Sequence, residues 1–508
     1  MNRLLFSLFL SGFATLSALA NVRPNSLFSD NAVLQRGVAV PVWGTADDGE
    51  TVTVSFAGQS VSSTPSGGKW FVKLKPLSAG GPYSMTIRGQ NTITINNLLV
   101  GEVWLCSGQS NMAFPLRAVI PRGNYPFVDS VLAEAARYPM IREFAVPLRK
   151  NTGVPPLTDE SNGTWRVCNS QTAKDFSAVA YFFARDLYSR LQVPIGIVKS
   201  AYGGTAIENW INPAVLAANP DLNSIVVNYE KALHEFPAKL EAYTTSEAKL
   251  LADWKADSAR AVAQKVALPR KSAPPMHPAE RGGPGGLYNT MIHPLLPFAI
   301  RGMVWYQGEA NASRGIQYRT LLPMLIDNWR SEWGQDDVPF LFVQIPGWRA
   351  HHPELREAQL LTWQQRPNTA MTVINDCDDT LDVHPPNKQP VGERLALAAR
   401  QLAYGEKIEY SGPVYEAMQI KNEQVFLQFS HLGGGLVSPD PTLTDFTIAG
   451  ADKVFVPALA VIRGKTVVVS SDRVNQPVAV RYSWRLSPQS NLYNKAGLPA
   501  TPFRTDLN

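Results

Sequence analysis

At 508 residues, with 45% hydrophobic and 18% charged side chains and a formal net charge of +5, the chain is long enough for two or three domains and too evenly mixed to be disordered. That charge is small for the length, and no Lys/Arg stripe interleaves with aromatics, so nucleic acid is not an expected partner. Three cysteines, Cys106, Cys168 and Cys377, are too few and too scattered for a disulfide framework or a metal ligand set, and read as buried thiols.

Residues 1–20 have the features of a secretory signal. Arg3 supplies the charge, Leu4 to Leu10 the apolar centre, and Ala18-Leu19-Ala20 the small-residue cleavage pattern. The mature product should be exported, periplasmic or secreted, and should begin near Asn21. No later stretch reaches the roughly 18 to 20 apolar residues needed to cross a bilayer, so no membrane span is expected.

Residues 21–97 read as an N-terminal β domain. Val52, Val54 and Phe56 alternate with Thr and Ser, and Trp70, Val72 and Leu74 alternate with lysines, the period of a sheet with one polar face. Residues 98–408 change to α/β grammar. Apolar runs at Leu98–Cys106, Val193–Val198, Ala299–Tyr306, Val338–Ile345 and Ala370–Ile374 predict strands buried on both faces. Helical patterns lie between them at Phe176–Leu191, Tyr318–Trp333 and Leu355–Gln365. An Ala/Glu/Lys-rich segment and a Pro/Gly-rich loop form an insertion over about 216–286. Strands return in a C-terminal β domain, 409–508, as at Gln424–Phe429, Lys465–Ser470 and Val478–Trp484.

In an open α/β sheet, reactive groups gather beyond the carboxyl ends of the strands. Four segments there are chemically unusual: Ser107–Met112, Tyr202–Thr205, Trp305–Asn311 and Asp382–Pro385. Ser110 follows a buried strand and could present its hydroxyl and its amide to one carbonyl, although a helix N-cap serine would look the same. Of seven histidines, His384 stands out as its base, because it follows Asp376, Asp378, Asp379 and Asp382. A metal loop of aspartates is the rival reading of that run, but it lacks the alternation and Glu of an EF-hand.

Together these blocks resemble the sialate O-acetylesterase family of the SGNH hydrolases. The likeness extends to Leu34-Gln35-Arg36, to His384-Pro385-Pro386-Asn387-Lys388 and to the terminal Asn491–Phe503 region. It implies an SGNH-type, flavodoxin-like three-layer α/β/α core flanked by β-sandwich segments from both ends of the chain. It also implies Ser110 as nucleophile and His384 as base, and an oxyanion hole of the Ser110 amide, the Gly204 amide (Gly203 being the alternative) and the Gln307 side chain. Asn311 is the alternate to Gln307. The wider pattern spaces the acid three residues before the histidine, whereas Asp382 stands two before it, so Asp379 or a backbone carbonyl competes to orient the ring.

The activity implied is release of acetate from an O-acetylated carbohydrate, either sialic acid or a plant oligosaccharide such as xyloglucan or xylan, with no metal or organic cofactor. Glu208, Arg356 and Asn311 are candidate sugar contacts. A degenerate hydrolase that binds carbohydrate without turnover is the alternative. No phosphate loop, dinucleotide fingerprint or zinc helix supports phosphoryl transfer or metallopeptidase chemistry.

Overall fold

The computed structural model describes residues 21–122, 127–149, 155–159, 163–335, 337–377 and 382–506. Residues 1–20, expected to be a signal, and Asp378 and Asp379 lie outside these described residues. The fold is mixed α/β. Its spine is a run of strands in the order Trp165–Val167, Ile141–Ala145, Ile195–Ala201, Thr92–Gly108, Gly302–Tyr306, Phe340–Val343 and Thr369–Thr372. All neighbours pair parallel except the first two.

Side chains alternate between two core clusters, as pleating requires. Val103, Leu105, Met303, Trp305, Phe340 and Phe342 join residues of the helices Gly315–Trp333 and Pro353–Gln365. Trp104, Cys106, Ile197, Val304, Leu341 and Val343 join residues of Ala178–Leu191 and Gln389–Tyr404. Burial on both faces accounts for the continuous apolar runs of these strands.

The expected strand at Leu98–Cys106 is longer than its apolar run. Thr92–Gly108 is one strand whose first half pairs antiparallel with Gly80–Arg88 and parallel with Val33–Gln35, while its second half enters the parallel sheet. The apolar stretch marks only the half that is covered on both sides. Position 97 therefore sits inside a strand, and the N-terminal β residues share a core cluster with the sheet.

A further three-stranded sheet, Arg23–Pro24, Val40–Thr45 and Lys69–Leu74, caps this end. Gly44 allows the close approach of its first strand, because a Cβ there would lie 1.9 Å from the Arg23 carbonyl oxygen. The insertion is dominated by a helix of 42 residues, Asn223–Gln264, with Ile225 and Ala261 its buried members. In the C-terminal region two four-stranded sheets share a cluster that includes Val425, Val467, Ile448, Tyr482 and Phe503. Ties to the parallel unit run through the Arg504–Glu357 ion pair at 2.6 Å and Asn375 Nδ2 to Ala500 O at 3.3 Å. Among the described residues no helix is long and apolar enough to cross a membrane.

Candidate active site

The chain leaves Thr92–Gly108 and visits Ile141–Ala145 and Ile195–Ala201 on one side before crossing to Gly302–Tyr306 on the other. The long strand is thus a topological switch point, the place where ligands bind in open α/β sheets. Ser110 stands there. Gly108, at φ +138°, has no room for a side chain, since a Cβ would lie 2.1 Å from the Tyr306 carbonyl oxygen. The turn after it is pinned by Gln109 N–H to Tyr306 O at 3.0 Å and Tyr202 N–H to Gly108 O at 3.0 Å.

Ser110 opens the short helix Ser110–Ala113, and the N-cap is Gln109, without a side-chain cap bond. The N-cap reading of Ser110 is therefore corrected. Its hydroxyl lies 2.8 Å from His384 Nε2 instead, a contact bridging 274 positions of sequence. As first helical residue, Ser110 carries an amide that the helix itself leaves without an acceptor.

Asp382 reaches His384 in spite of its short spacing. Its Oδ1 accepts the His384 backbone N–H at 2.9 Å, the two-residue Asx turn that Asp side chains favour. That turn brings the same oxygen to 3.4 Å from Nδ1, a contact of charge with ring nitrogen slightly beyond ordinary hydrogen-bond length. Phe114 lies against the imidazole, with ring centroids 6.1 Å apart and planes at 26°. Three of the other histidines are engaged elsewhere: Nδ1 of His293 with Leu157 O, of His351 with Pro346 O and of His431 with Glu409.

The Tyr202–Thr205 turn borders the serine through Gly203, and Gly204 follows it. A Cβ on Gly203 would lie 3.2 Å from Ser110 Cβ, and Gly204 occupies the left-handed region at φ +70°. Thr205 holds the turn by donating its hydroxyl to Tyr202 O at 2.7 Å.

Gln307 behaves differently from expectation. It is fully buried, and both Nε2 protons are spent, on Thr205 O at 3.1 Å and Asn311 Oδ1 at 2.8 Å, while its Oε1 accepts from the Tyr318 hydroxyl at 2.9 Å. No proton is left for a bound oxyanion. Asn311, also fully buried, accepts from Gln307 and from Ile207 N–H, and gives one Nδ2 proton to Glu208 at 2.9 Å.

Two candidate sugar contacts are engaged within the protein. Glu208 spends one oxygen on Asn311 and the other on Arg314 at 2.7 Å. Arg356 is 1% exposed, and its guanidinium donates to the backbone carbonyls of His351, Ser483 and Arg485, so it fastens the C-terminal region. Asp376 pairs with Arg394 through both oxygens, at 2.7 and 2.6 Å. Among the described residues no cluster of His, Cys, Asp or Glu could hold a metal ion.

Sequence reasoning missed the scaffold behind the serine. Asn111, fully buried, donates to Glu309 and, at 3.1 Å, to Val383 O, and it accepts from the ammonium of Lys388. One side chain next to Ser110 therefore ties together the segments carrying Gln307 and His384. Lys388 is 1% exposed, with its Nζ 5.2 Å from the Phe114 ring centre and 5.4 Å from that of Tyr306. Burial, helped by the nearby Glu309 carboxylate, holds the Tyr306 phenol far above its ordinary pKa. All three cysteines are buried free thiols, and burial raises the pKa of Cys106 and pushes that of Cys168 up to about 12, so neither of these two offers a thiolate.

The chain is similar to known proteins over most of its length. A family profile described as carbohydrate esterase, sialic acid-specific acetylesterase matches residues 100–246 and 279–401. The chain is 30% identical to the sialate O-acetylesterase of Rattus norvegicus over 91% of this chain and 90% of that protein. It is 28% identical to that of Homo sapiens over 97% and 94%. A crystal structure of a carbohydrate acetylesterase from Xanthomonas citri superposes with a TM-score of 0.79 at 36% identity, covering 96% of this chain and all of that one.

Proposed function

Because the chain belongs to the sialic acid-specific acetylesterase family of carbohydrate esterases, we propose that it releases acetate from an O-acetylated sugar through a serine acyl-enzyme mechanism. The observation that carries this reading is the 2.8 Å contact between the Ser110 hydroxyl and His384 Nε2 at the switch point of the sheet.

Ser110 Oγ attacks the acetyl carbonyl carbon while His384 Nε2 takes the hydroxyl proton. Asp382 orients the imidazole and stabilises the imidazolium that forms. The Ser110 amide and a Gly203 or Gly204 amide meet the oxyanion. Asn311 is the better third donor, because it keeps an Nδ2 proton beyond the one given to Glu208, whereas Gln307 keeps none. Each donor of such a hole is worth about 2.7 to 4 kcal/mol in the transition state. His384 then protonates the departing sugar oxygen, which leaves as a hydroxyl, and water enters by the same route to free acetate and restore Ser110.

Three further readings accompany this one. The two core clusters fit an SGNH-type three-layer core with β-sandwich flanks, divided as 21–97, 98–408 and 409–508. The hydrophobic leader fits export to the periplasm or medium. Sialic acid and acetylated plant oligosaccharides are both candidate substrates.

The test is acetate release from a panel of O-acetylated sialosides and plant oligosaccharides by wild type and by Ser110→Ala. Release that vanishes in the variant supports the reading, and the preferred glycan identifies the substrate. Equal release by the two proteins would replace it with carbohydrate binding by an inert core.

A further inference from the structure

The three-stranded sheet at the amino end presents an outer face whose register fixes two rows. Arg23 pairs with Thr45, and Thr45 with Lys69. Two residues along, Trp43 pairs with Phe71, and the Asn25 amide donates to Trp43 O at 2.9 Å. Residues two apart point to the same side of a strand, roughly 7 Å from one another, so a row of two cations runs beside a row of two aromatics. Val42, Trp70 and Val72 fill the opposite, buried face.

Phe71 is 46% exposed, and Trp43 is anchored from below by Phe28, edge-on at 4.9 Å. Above these rows rises a wall that includes Asp159, His293 and Pro297, enclosing a groove of about 470 Å³. Its charge is unbalanced. Asp159 Oδ1 is already occupied by the Ser26 amide at 2.9 Å and hydroxyl at 3.1 Å, while no carboxylate ion-pairs with Arg23 or Lys69 among the described residues. An exposed Phe71 and a half-buried Trp43 beside cations without an ion-pair partner among the described residues fit a ring with an apolar face and a negative substituent.

We propose that this groove, lined by Trp43, Phe71, Arg23 and Lys69, binds a carboxylate-bearing sugar residue of the glycan. It rests on the acetylesterase reading for the nature of that glycan. The apolar C–H face of a pyranose packs on Phe71 and Trp43, and its carboxylate meets Lys69 and Arg23. A neutral sugar would use the aromatic row and leave the cations without a role. Pro297 precedes the strand Gly302–Tyr306, whereas Ser110 lies past the carboxyl end of the paired strand. At about 3.3 Å per residue, the groove lies at least some 15 Å from the serine along the sheet. It is an anchoring site, distant from the bond that is broken.

The test is calorimetric titration of the full-length mature protein with three probes free of acetyl groups: an oligogalacturonate, a sialyllactose and a neutral cello-oligosaccharide. One or both acidic probes should bind, weakening with salt, and the stronger of the two identifies the source of the carboxylate. Phe71→Ala and Lys69→Gln should each weaken binding about tenfold, leaving p-nitrophenyl acetate hydrolysis and thermal melting unchanged. Absence of acidic-sugar binding, equal binding of the neutral probe, or affinity untouched by both substitutions would overturn the proposal. Acetate release from acetylated glycans, measured beside it, distinguishes this failure from failure of the acetylesterase reading.

Discussion

At the carboxyl edge of the sheet, Asn111, Gln307 and Asn311 are wholly removed from solvent; Gln307 and Asn311 bond to each other, and Asn111 bonds to Glu309, Val383 and Lys388. Along the helix Asn223–Gln264, by contrast, Ile225 and Ala261 are the buried residues, and contacts such as the Lys239–Glu235 pair at 2.8 Å are local and exposed. The difference is one of coupling. A buried amide that loses its partner bears the full cost of desolvation, so a change at the edge propagates to every segment tied to it. A change on the exposed helix stays where it is made, because water replaces whatever is lost.

That contrast can be broken at several depths. The largest effect is expected from Asn311→Ala, which removes the proposed oxyanion donor and leaves Gln307 and Glu208 each short of a partner. It should lower kcat roughly 10²- to 10³-fold. A Gln307→Ala protein that lost more activity than Asn311→Ala would reverse the assignment of the third donor.

Lys388→Met comes next. It removes the charged partner of Asn111 and should cost about 2 kcal/mol in chemical denaturation, with a parallel fall in kcat, since Ser110 is held through its neighbour. Stability and activity that both match wild type would show that the buried ammonium is incidental.

Gly203→Ala places a methyl group 3.2 Å from Ser110 Cβ. The serine must yield by a few tenths of an ångström, and kcat should fall about tenfold with the melting temperature nearly unchanged. Smaller again is the effect of pH through His351, whose burial holds its pKa below the ordinary histidine value against the opposing pull of Glu309. Below about pH 6.5 the unfolded chain takes up a proton that the folded protein resists, so this part of the stability is present above that pH and is lost as pH falls. His351→Asn should flatten the fall in melting temperature between neutral and mildly acid pH. On the exposed helix, Leu240→Ser should change stability by no more than about 0.5 kcal/mol and activity not at all.

The sequence was readable where one physical cause dominates a segment. Strands buried on both faces have to be apolar throughout, which made Ala299–Tyr306 and Val338–Ile345 visible around the observed Gly302–Tyr306 and Phe340–Val343. The helix Ala178–Leu191 was visible from its apolar spacing and starts at Ser177, whose hydroxyl accepts the Ala180 amide at 3.2 Å. Ser110 and His384 could be singled out because a serine nucleophile needs a base, and the fold puts the two in contact.

Buried polar chemistry was not readable in this way. Glu208 and Arg356 look like surface residues that could meet a sugar, and only the three-dimensional hydrogen-bond accounting shows them spent on Arg314, Asn311 and backbone carbonyls. Lys388 and Asn111 lie inside the motif blocks, but their pairing could not be read from them, because a charge buried against an amide depends on segments 277 positions apart. The helix Gln389–Tyr404 was missed because its start is masked by Pro385, Pro386 and Pro390, residues that usually punctuate loops.

The central claim is that Ser110 carries the acetyl group between sugar and water. Rapid quenching of the reaction with an acetylated substrate, followed by peptide mass mapping, tests it most directly. The account predicts a transient acetyl adduct on the peptide containing Ser110, absent from Ser110→Ala, which also loses turnover. An adduct on another residue, or undiminished acetate release by Ser110→Ala, would contradict it.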